Sequence, residues 1–394
     1  MLCEVEWLRG ATDAAFEHLN RARELVNAGA PSRAKAFVIS SASRFLMLAG
    51  RSAEAISVGR EAATMAEQLG LDEVHASALN NIGSARCFSD DAAGVDDLEQ
   101  AAVLAEQANA PMELCRARGN LASVLWARGD LARSASMRSE ADSAASRFGQ
   151  HLMQRWLRGS IVPEHYALGL WHEAQAGADE FLAEVEAGSP HYLAGDCYTA
   201  RALLRLGRDD VAGARSDAQQ ALEHTRLAKD PQVLYPALAG VADVFSELGD
   251  NERAADLAGE LLTALLADPP ARVLVAQSLH TLAWTLTRLG RGQELVEVLP
   301  SNEVPWVSAA RAFASGDLRH AADLCQAMGA RTEEARDRLW LAGSLIGLHR
   351  RGEADVELHR ALDFYDSVGA TRYIREAEAL LGAPRDRRRA ASAG

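Results

Sequence analysis

The 394-residue sequence is short of lysine, of aromatic side chains and of long apolar runs. Lysine occurs only at Lys35 and Lys229, so 39 of the 41 basic residues are arginine. A P-loop needs a lysine directly after a glycine to reach the β/γ-phosphates. Lys35 lies in Arg33-Ala34-Lys35-Ala36 and Lys229 in Ala228-Lys229-Asp230, so that loop is missing. No run of 18 apolar residues is present, which excludes a transmembrane helix. The first nine residues carry Glu4 and Glu6 and have no apolar core, so they do not read as a signal peptide. Cys3, Cys87, Cys115, Cys197 and Cys325 are scattered and form no CxxC pair. That is the pattern of reduced thiols, and a cytoplasmic location is expected. HExxH, GxSxG and a Gly-rich dinucleotide loop are also missing. No catalytic residue, cofactor or metal is expected, and the chain does not read as an enzyme. His165 and His172, with Glu164 and Glu173 beside them, would stand about 10 Å apart on one helix, too far to share a zinc. Pro163 and Gly169 are expected to interrupt that segment. His191 and Cys197 make no better ligand pair.

What is present points to helices. Hydrophobic residues make up 48%, but aromatics only 6%, and 77 residues are alanine. Apolar mass drawn from alanine and leucine favours close-packed helices over sheets. A net charge of −14 repels phosphates, so direct nucleic-acid binding is not expected. Neither is a membrane. The acidic pairs Asp90-Asp91, Asp96-Asp97 and Asp209-Asp210 read as turn and helix-start residues, where carboxylates complement the helix dipole.

The alanines recur. A glycine after an apolar stretch, followed five residues on by alanine, occurs at Gly10…Ala15, Gly50…Ala55, Gly169…Ala174, Gly207…Ala212, Gly249…Ala254 and Gly316…Ala321. Looser copies are Asp90…Val95, Gly129…Ser134, Gly290…Leu295 and Gly352…Glu357. The first eight markers lie 38 to 42 residues apart. Each unit reads as two helices. In one, Leu121, Ala122, Leu125 and Trp126 precede Arg128-Gly129-Asp130, and Ala132, Ala135, Ala141 and Ala145 follow. Glycine permits the left-handed cap that ends the first helix. Alanine lets the helices approach closely, and one hairpin alone cannot bury its apolar face, so neighbours must stack.

This pattern resembles tetratricopeptide (TPR) repeats, in Asn80-Asn81-Ile82-Gly83…Val95…Ala102, in Gly119-Asn120-Leu121-Ala122…Gly129…Ala141 and in Leu282-Ala283…Gly290. The resemblance implies an all-α, right-handed superhelical solenoid of about nine TPR-like hairpins with a partial N-terminal repeat. The repeat of about 40 residues is longer than the usual 34. That length, and the stretch from Arg360 to Leu381, are similar to the C-terminal region of bacterial adenylate/guanylate cyclase–AAA ATPase signalling proteins and of ATPase-type transcriptional regulators. The expected organisation is a repeat array over 1–299 with an incomplete first repeat. C-terminal repeats over 300–382 follow a kink at Pro300 and Pro305, and 383–394 reads as a disordered tail with Arg385, Arg387, Arg388 and Arg389. Because fewer than ten residues precede Gly10, the chain is expected to be a fragment or to have that end covered by a partner.

In TPR arrays the first helices line a concave groove. By that resemblance the partner-binding face includes Asn80, Asn81, Ser84, Arg116, Asn120 and Ser123, then Trp156, Tyr198, Arg201, His280 and Trp284. Asn81 and Asn120 occupy equivalent positions, where an amide can grip a partner's backbone or simply bond the neighbouring helix. The lysines of carboxylate-clamping TPR domains are missing: Ser77 stands where the first would fall, and Arg116, Arg155 or Arg158 are the basic residues at hand. Trp284 reads equally as core between repeats. The implied function is a non-catalytic interaction and regulatory scaffold. A protein or peptide would lie in the groove, with an ATPase or cyclase domain in cis or in trans. A free-standing peptide adaptor and a small-molecule sensor are the alternatives, and a deep pocket with convergent polar groups would favour the sensor.

Overall fold

A computed structural model describes residues 2–267, 275–299 and 304–382; the expected Arg-rich tail and Pro300 lie outside them. Every described element is an α-helix. The chain opens with α1 (Leu2–Leu8) and α2 (Thr12–Asn27). Antiparallel pairs follow: α3 (Arg33–Leu48) with α4 (Ser52–Gln68), α5 (Asp72–Phe88) with α6 (Gly94–Gln107), and α7 (Pro111–Ala127) with α8 (Leu131–Arg147). Next come α9 (His151–Ala167) with α10 (Trp171–Glu186), α11 (Ala194–Gly207) with α12 (Val211–Ala228), and α13 (Pro231–Glu247) with α14 (Asn251–Ala267). The last pairs are α15 (Ala276–Arg288) with α16 (Gly292–Val298), α17 (Pro305–Ala314) with α18 (Leu318–Met328), and α19 (Arg331–Gly347) with α20 (Arg351–Val368), before a final helix, α21 (Thr371–Gly382).

Left-handed turn residues set the period. Gly10, Gly50, Asp90, Gly129, Gly169, Asp209, Gly249 and Gly290 all have positive φ and follow one another at 39 to 41 residues. Gly70, Asn109, Gly149, Gly188 and Lys229 do the same, at the same spacing, where the second helix of one pair leads to the next. At Asp209 the amides of residues 209 and 210 donate back to the carbonyls of Leu206 and Arg205, which closes the helix end.

Two markers expected from glycine need correction. Gly207 is the last residue of α11 and Asp209 makes the turn; likewise His349, not Gly352, has positive φ. Aspartate takes the left-handed conformation more readily than most side chains. Gly207 serves packing instead: a Cβ there would sit 2.7 Å from the Trp171 ring. The alanines five residues after the true turns, Ala214 and Ala354, are fully buried, whereas Ala212 is exposed.

The step from Gly290 to Gly316 is short because α16 has only seven residues. Pro305 opens α17, where its missing N–H costs nothing. One hydrophobic core runs from Trp126 to Ala377 on both sides of this step. Pro163 does not interrupt its helix either: α9 continues to Ala167, and the Cys197 thiol stands 3.7 Å from the Gly159 carbonyl that the proline leaves without its helical donor.

The array curls until distant repeats touch. The Tyr192 amide donates to the Leu8 carbonyl at 2.9 Å, Thr12 donates to the Ala228 carbonyl, and Lys229 pairs with Asp13 at 2.6 Å. The chain's own middle therefore covers the first helices. Further along, the Trp126 indole donates to Gln277 at 2.6 Å, the Trp306 indole donates to the Trp126 carbonyl at 2.8 Å, and Trp171 donates to Thr332 at 2.9 Å. An ionic cluster locks the C-terminal end. Arg336 donates to Asp243 and Glu247, Arg372 also holds Glu247, and the Arg336 guanidinium lies 4.2 Å over the Trp284 ring. Burial pushes the Glu247 carboxyl up, but Arg336, Arg288 and Arg372 outweigh it and hold the group below its ordinary value.

Ala214→Leu is expected to destabilise by about 1–3 kcal/mol through overpacking. Ala212→Leu should stay within about 0.5 kcal/mol. Urea melts of the two variants distinguish a turn at Asp209 from one at Gly207. Asp243→Ala removes one of the two carboxylates that hold the buried Arg336 guanidinium and should cost about 1–3 kcal/mol by the same assay, since Glu247 still accepts from it.

Candidate functional site: an interior chamber

Where the superhelix curls back on itself, it forms a chamber of two adjoining lobes, each partly open to solvent. The first, about 90 Å³, lies among Trp7 of α1, Arg44 and Met47 of α3, and Arg116 and Asn120 of α7. The second, about 220 Å³, lies among Trp126 of α7, Glu164 and Tyr166 of α9, Asp196 of α11, Gln277 of α15 and Glu333 of α19. Phe88, Ser123, Trp156, Tyr192 and Gln232 border both lobes. Its walls thus come from repeats far apart in sequence.

The shared wall has a definite order. Trp156 lies flat on α7 because residue 119 is glycine; a Cβ there would meet its ring at 2.8 Å. The Trp156 indole donates to the Tyr192 hydroxyl at 2.7 Å, fixing both rings. Arg138 donates to Glu164 and to Ser160, so that wall carries a closed ion pair. Arg116 donates to Glu113 at 2.6 Å and to Asn81 at 2.9 Å. Burial pushes its pKa down, which the nearby carboxylates counter.

Two carboxylates are not balanced in this way. Glu333 is 2% exposed and one of its oxygens, Oε2, has no hydrogen-bond partner; nor has Oδ1 of Asp196. Burial raises the Glu333 pKa to about 7 and carries Asp196 well above its ordinary value, the nearby Asp230 adding to the second shift. Both acids are the third residue of their helices, where the dipole favours a carboxylate but supplies only part of a charge.

Of the residues expected at the groove, Arg116, Asn120, Ser123 and Trp156 line the chamber. Asn80, Asn81 and Ser84 stand buried behind them. Asn81 donates to the Ser40 carbonyl at 3.0 Å and accepts from Arg116, while Asn80 accepts from Asn120 at 3.0 Å. These amides tie adjacent repeats together. Ser77 accepts from Arg116, and Arg155 and Arg158 pair with Glu184. Tyr198 and Arg201 lie away from the chamber: Tyr198 stacks on His224 and Arg201 binds Asp217 and Asp179. His280 and Trp284 are core residues, both donating to the buried Asp337. His280, Cys325 and Asp337 are the group, among the described residues, with metal-ligand chemistry close together. They do not fit a metal. Asp337 is already filled by two donors, and the other ring nitrogen of His280, Nδ1, has no partner to orient it. Tyr192, Asp196 and Glu333 escaped the sequence reading, because no spacing rule joins residues 333 and 196.

No family model matches the chain, and no curated protein matches it by sequence. Solved structures do. The chain is similar to a Rap protein complexed with Competence and Sporulation Factor, with a TM-score of 0.61 and 12% identity over 85% of this chain and 99% of that one. It also matches the TPR domain of P58(IPK) at 16% identity, over 87% and 97% of the two chains, and yeast Tom70 at 13%, over 94% and 92%. TM-scores of 0.24 and 0.28 for these two are too low to bear on the fold. The fold is a TPR-like α-solenoid. Among the described residues, no helix is long and apolar enough to cross a membrane.

An acid whose pKa rises from 4.5 unfolded to about 7 folded costs stability as pH climbs between those values, because the unfolded chain ionises first. Glu333→Gln removes that loss. The variant should melt close to the unsubstituted chain at pH 4.5 and be more stable by about 3 kcal/mol at pH 8. Equal melting of both at pH 8 would count against a strained carboxylate.

Proposed function

We propose that the chain is a non-catalytic regulatory module that receives an effector in its interior chamber. The supporting observation is that the lobes join around Ser123, Trp156 and Tyr192 with walls from both ends of the array. An occupant touches Arg116 and Glu333 across that junction, so it biases how the repeats close on one another, as any ligand with unequal affinity for two states must. The Rap neighbour, complexed with Competence and Sporulation Factor on the same fold, supports an effector-bound role for such an array. The occupant is a short peptide segment or small effector, not a folded domain, since the chamber's lobes measure about 90 and 220 Å³. A partner reads the change. By its resemblance to cyclase- and ATPase-linked arrays, that partner is an ATPase or cyclase domain in cis or in trans, in a bacterial signalling or transcription-regulatory system. A free-standing peptide adaptor would present an open groove instead.

Ser123 borders both lobes and is half-buried, so Ser123→Phe should plug the chamber without disturbing the amides behind it. Native mass spectrometry of the chain, desalted after incubation with deproteinised bacterial extract, should show a retained adduct. The plugged variant should retain none while melting at the same temperature. Equal retention by both, or none by either, would remove the basis for this function.

A further inference from the structure

The larger lobe holds two acids without a cationic partner inside an aromatic wall. Glu333 and Asp196 each present a buried oxygen without a hydrogen-bond partner. Among the described residues neither carboxylate forms a salt bridge; His280, close enough to favour an ionised Glu333, is itself bonded to Asp337. The one cation on that wall, Arg138, is occupied by Glu164. Around the acids stand the rings of Trp126, Trp156, Tyr166 and Tyr192. A folded chain rarely leaves buried carboxylate oxygens bare, because each forfeits its hydration without return. The first-turn position of both acids explains how the empty protein tolerates them, but half a dipole charge does not supply a donor.

From this arrangement we infer that the larger lobe binds an organic cation, whose protonated amine or guanidinium groups donate to Glu333, to Asp196 or, in a longer cation, to both, with its apolar part against the aromatic wall. Ammonium and guanidinium groups supply what is missing: several donors, a positive charge, and attraction to aromatic faces. Gln277 bonds Glu333 and Trp126, so it sets that carboxylate against the indole. The cation can arrive on a free polyamine-like molecule or on the lysine or arginine side chain of a short peptide. The raised pKa of Glu333 fits a group that ionises fully when its cation arrives. The inference rests on the effector-receiving role and names the chemistry of its ligand.

Calorimetric titration of the full chain tests it with spermidine, agmatine and acetyl-Gly-Lys-Gly-amide. Neutral acetyl-Gly-Gln-Gly-amide and glutarate are the controls. At least one cationic probe should bind while both controls fail. Glu333→Gln or Asp196→Asn, or each of them for a longer cation, should weaken that probe about tenfold or more, the loss of one charge-assisted hydrogen bond. Spermidine or agmatine without the peptide identifies a free amine; the peptide alone identifies a carried side chain. Hydrogen exchange on the unsubstituted chain gives a readout independent of the variants' folding, since a bound cation should slow amides in the first turn of α11, of α19 or of both. The inference is overturned if no cationic probe binds at millimolar concentration, if a control binds as well, if both amide variants bind unchanged, or if exchange in those turns does not slow. A control bound in the unsubstituted chain and excluded by Ser123→Phe would sink the cation alone and leave the effector-receiving role standing.

Discussion

The molecule depends on one backbone constraint, a left-handed residue at nearly all of the described helix-to-helix turns. Each such residue ends a helix by turning its last carbonyls onto the next amides, and so fixes the angle at which the following helix leaves. Repeated from Gly10 to Gly290 at 39 to 41 residues, the same angle makes a superhelix of nearly constant curvature. Constant curvature is what brings α1 back against the loop at Tyr192, and α19 against α9. A solenoid with irregular turns would stay open, and the chamber would be a groove.

Closure has to be held against the entropy of an elastic array, and the bonds that hold it are polar. Indole donors from Trp126, Trp171 and Trp306 each find an oxygen in a distant repeat. Such pairs contribute modestly when made but leave a costly buried donor when broken. They therefore specify one closed geometry more than they strengthen it. The Arg336 cluster works in the same way: ion pairs this buried gain little over an apolar replacement, yet are expensive to half-remove. The contacts between repeats are selective for position.

How much of this the sequence discloses depends on distance along the chain. The helical hairpins were legible because alanine at close-contact positions recurs within one repeat, as Ala55, Ala174 and Ala254 do. The register slipped at Gly207 and Gly352, where glycine seemed the only residue able to turn the chain; Asp209 and His349 do it instead. Half of the chamber was legible too. Arg116, Asn120, Ser123 and Trp156 lie on first helices of adjacent repeats, where local spacing governs. Asp196 and Glu333 were not, for they come to line one lobe only through the fold of several repeats, and each alone looks like an ordinary helix-start acid. Asn81 shows the opposite error. Its amide could grip a partner or bond the neighbouring helix, and in the fold Ser40 and Arg116 take it up.

The arrangement of charge ties the chamber to closure. Glu333 is flanked by groups with other duties: its neighbour Thr332 receives Trp171 from a distant repeat, and Arg336 and Asp337, one turn on, anchor the ionic cluster and the His280–Trp284 core. The first turns of α19 thus carry chamber lining, inter-repeat bonding and ionic anchoring within six residues, Thr332 to Asp337. A ligand that pulls on the Glu333 carboxylate cannot do so without loading the same short stretch of backbone. Interiors packed this densely shift between discrete arrangements rather than deform smoothly. On the proposed effector-receiving role, occupancy of the chamber and the seating of α19 on α9 and α13 are coupled by connectivity itself, with no need for a longer path through the array.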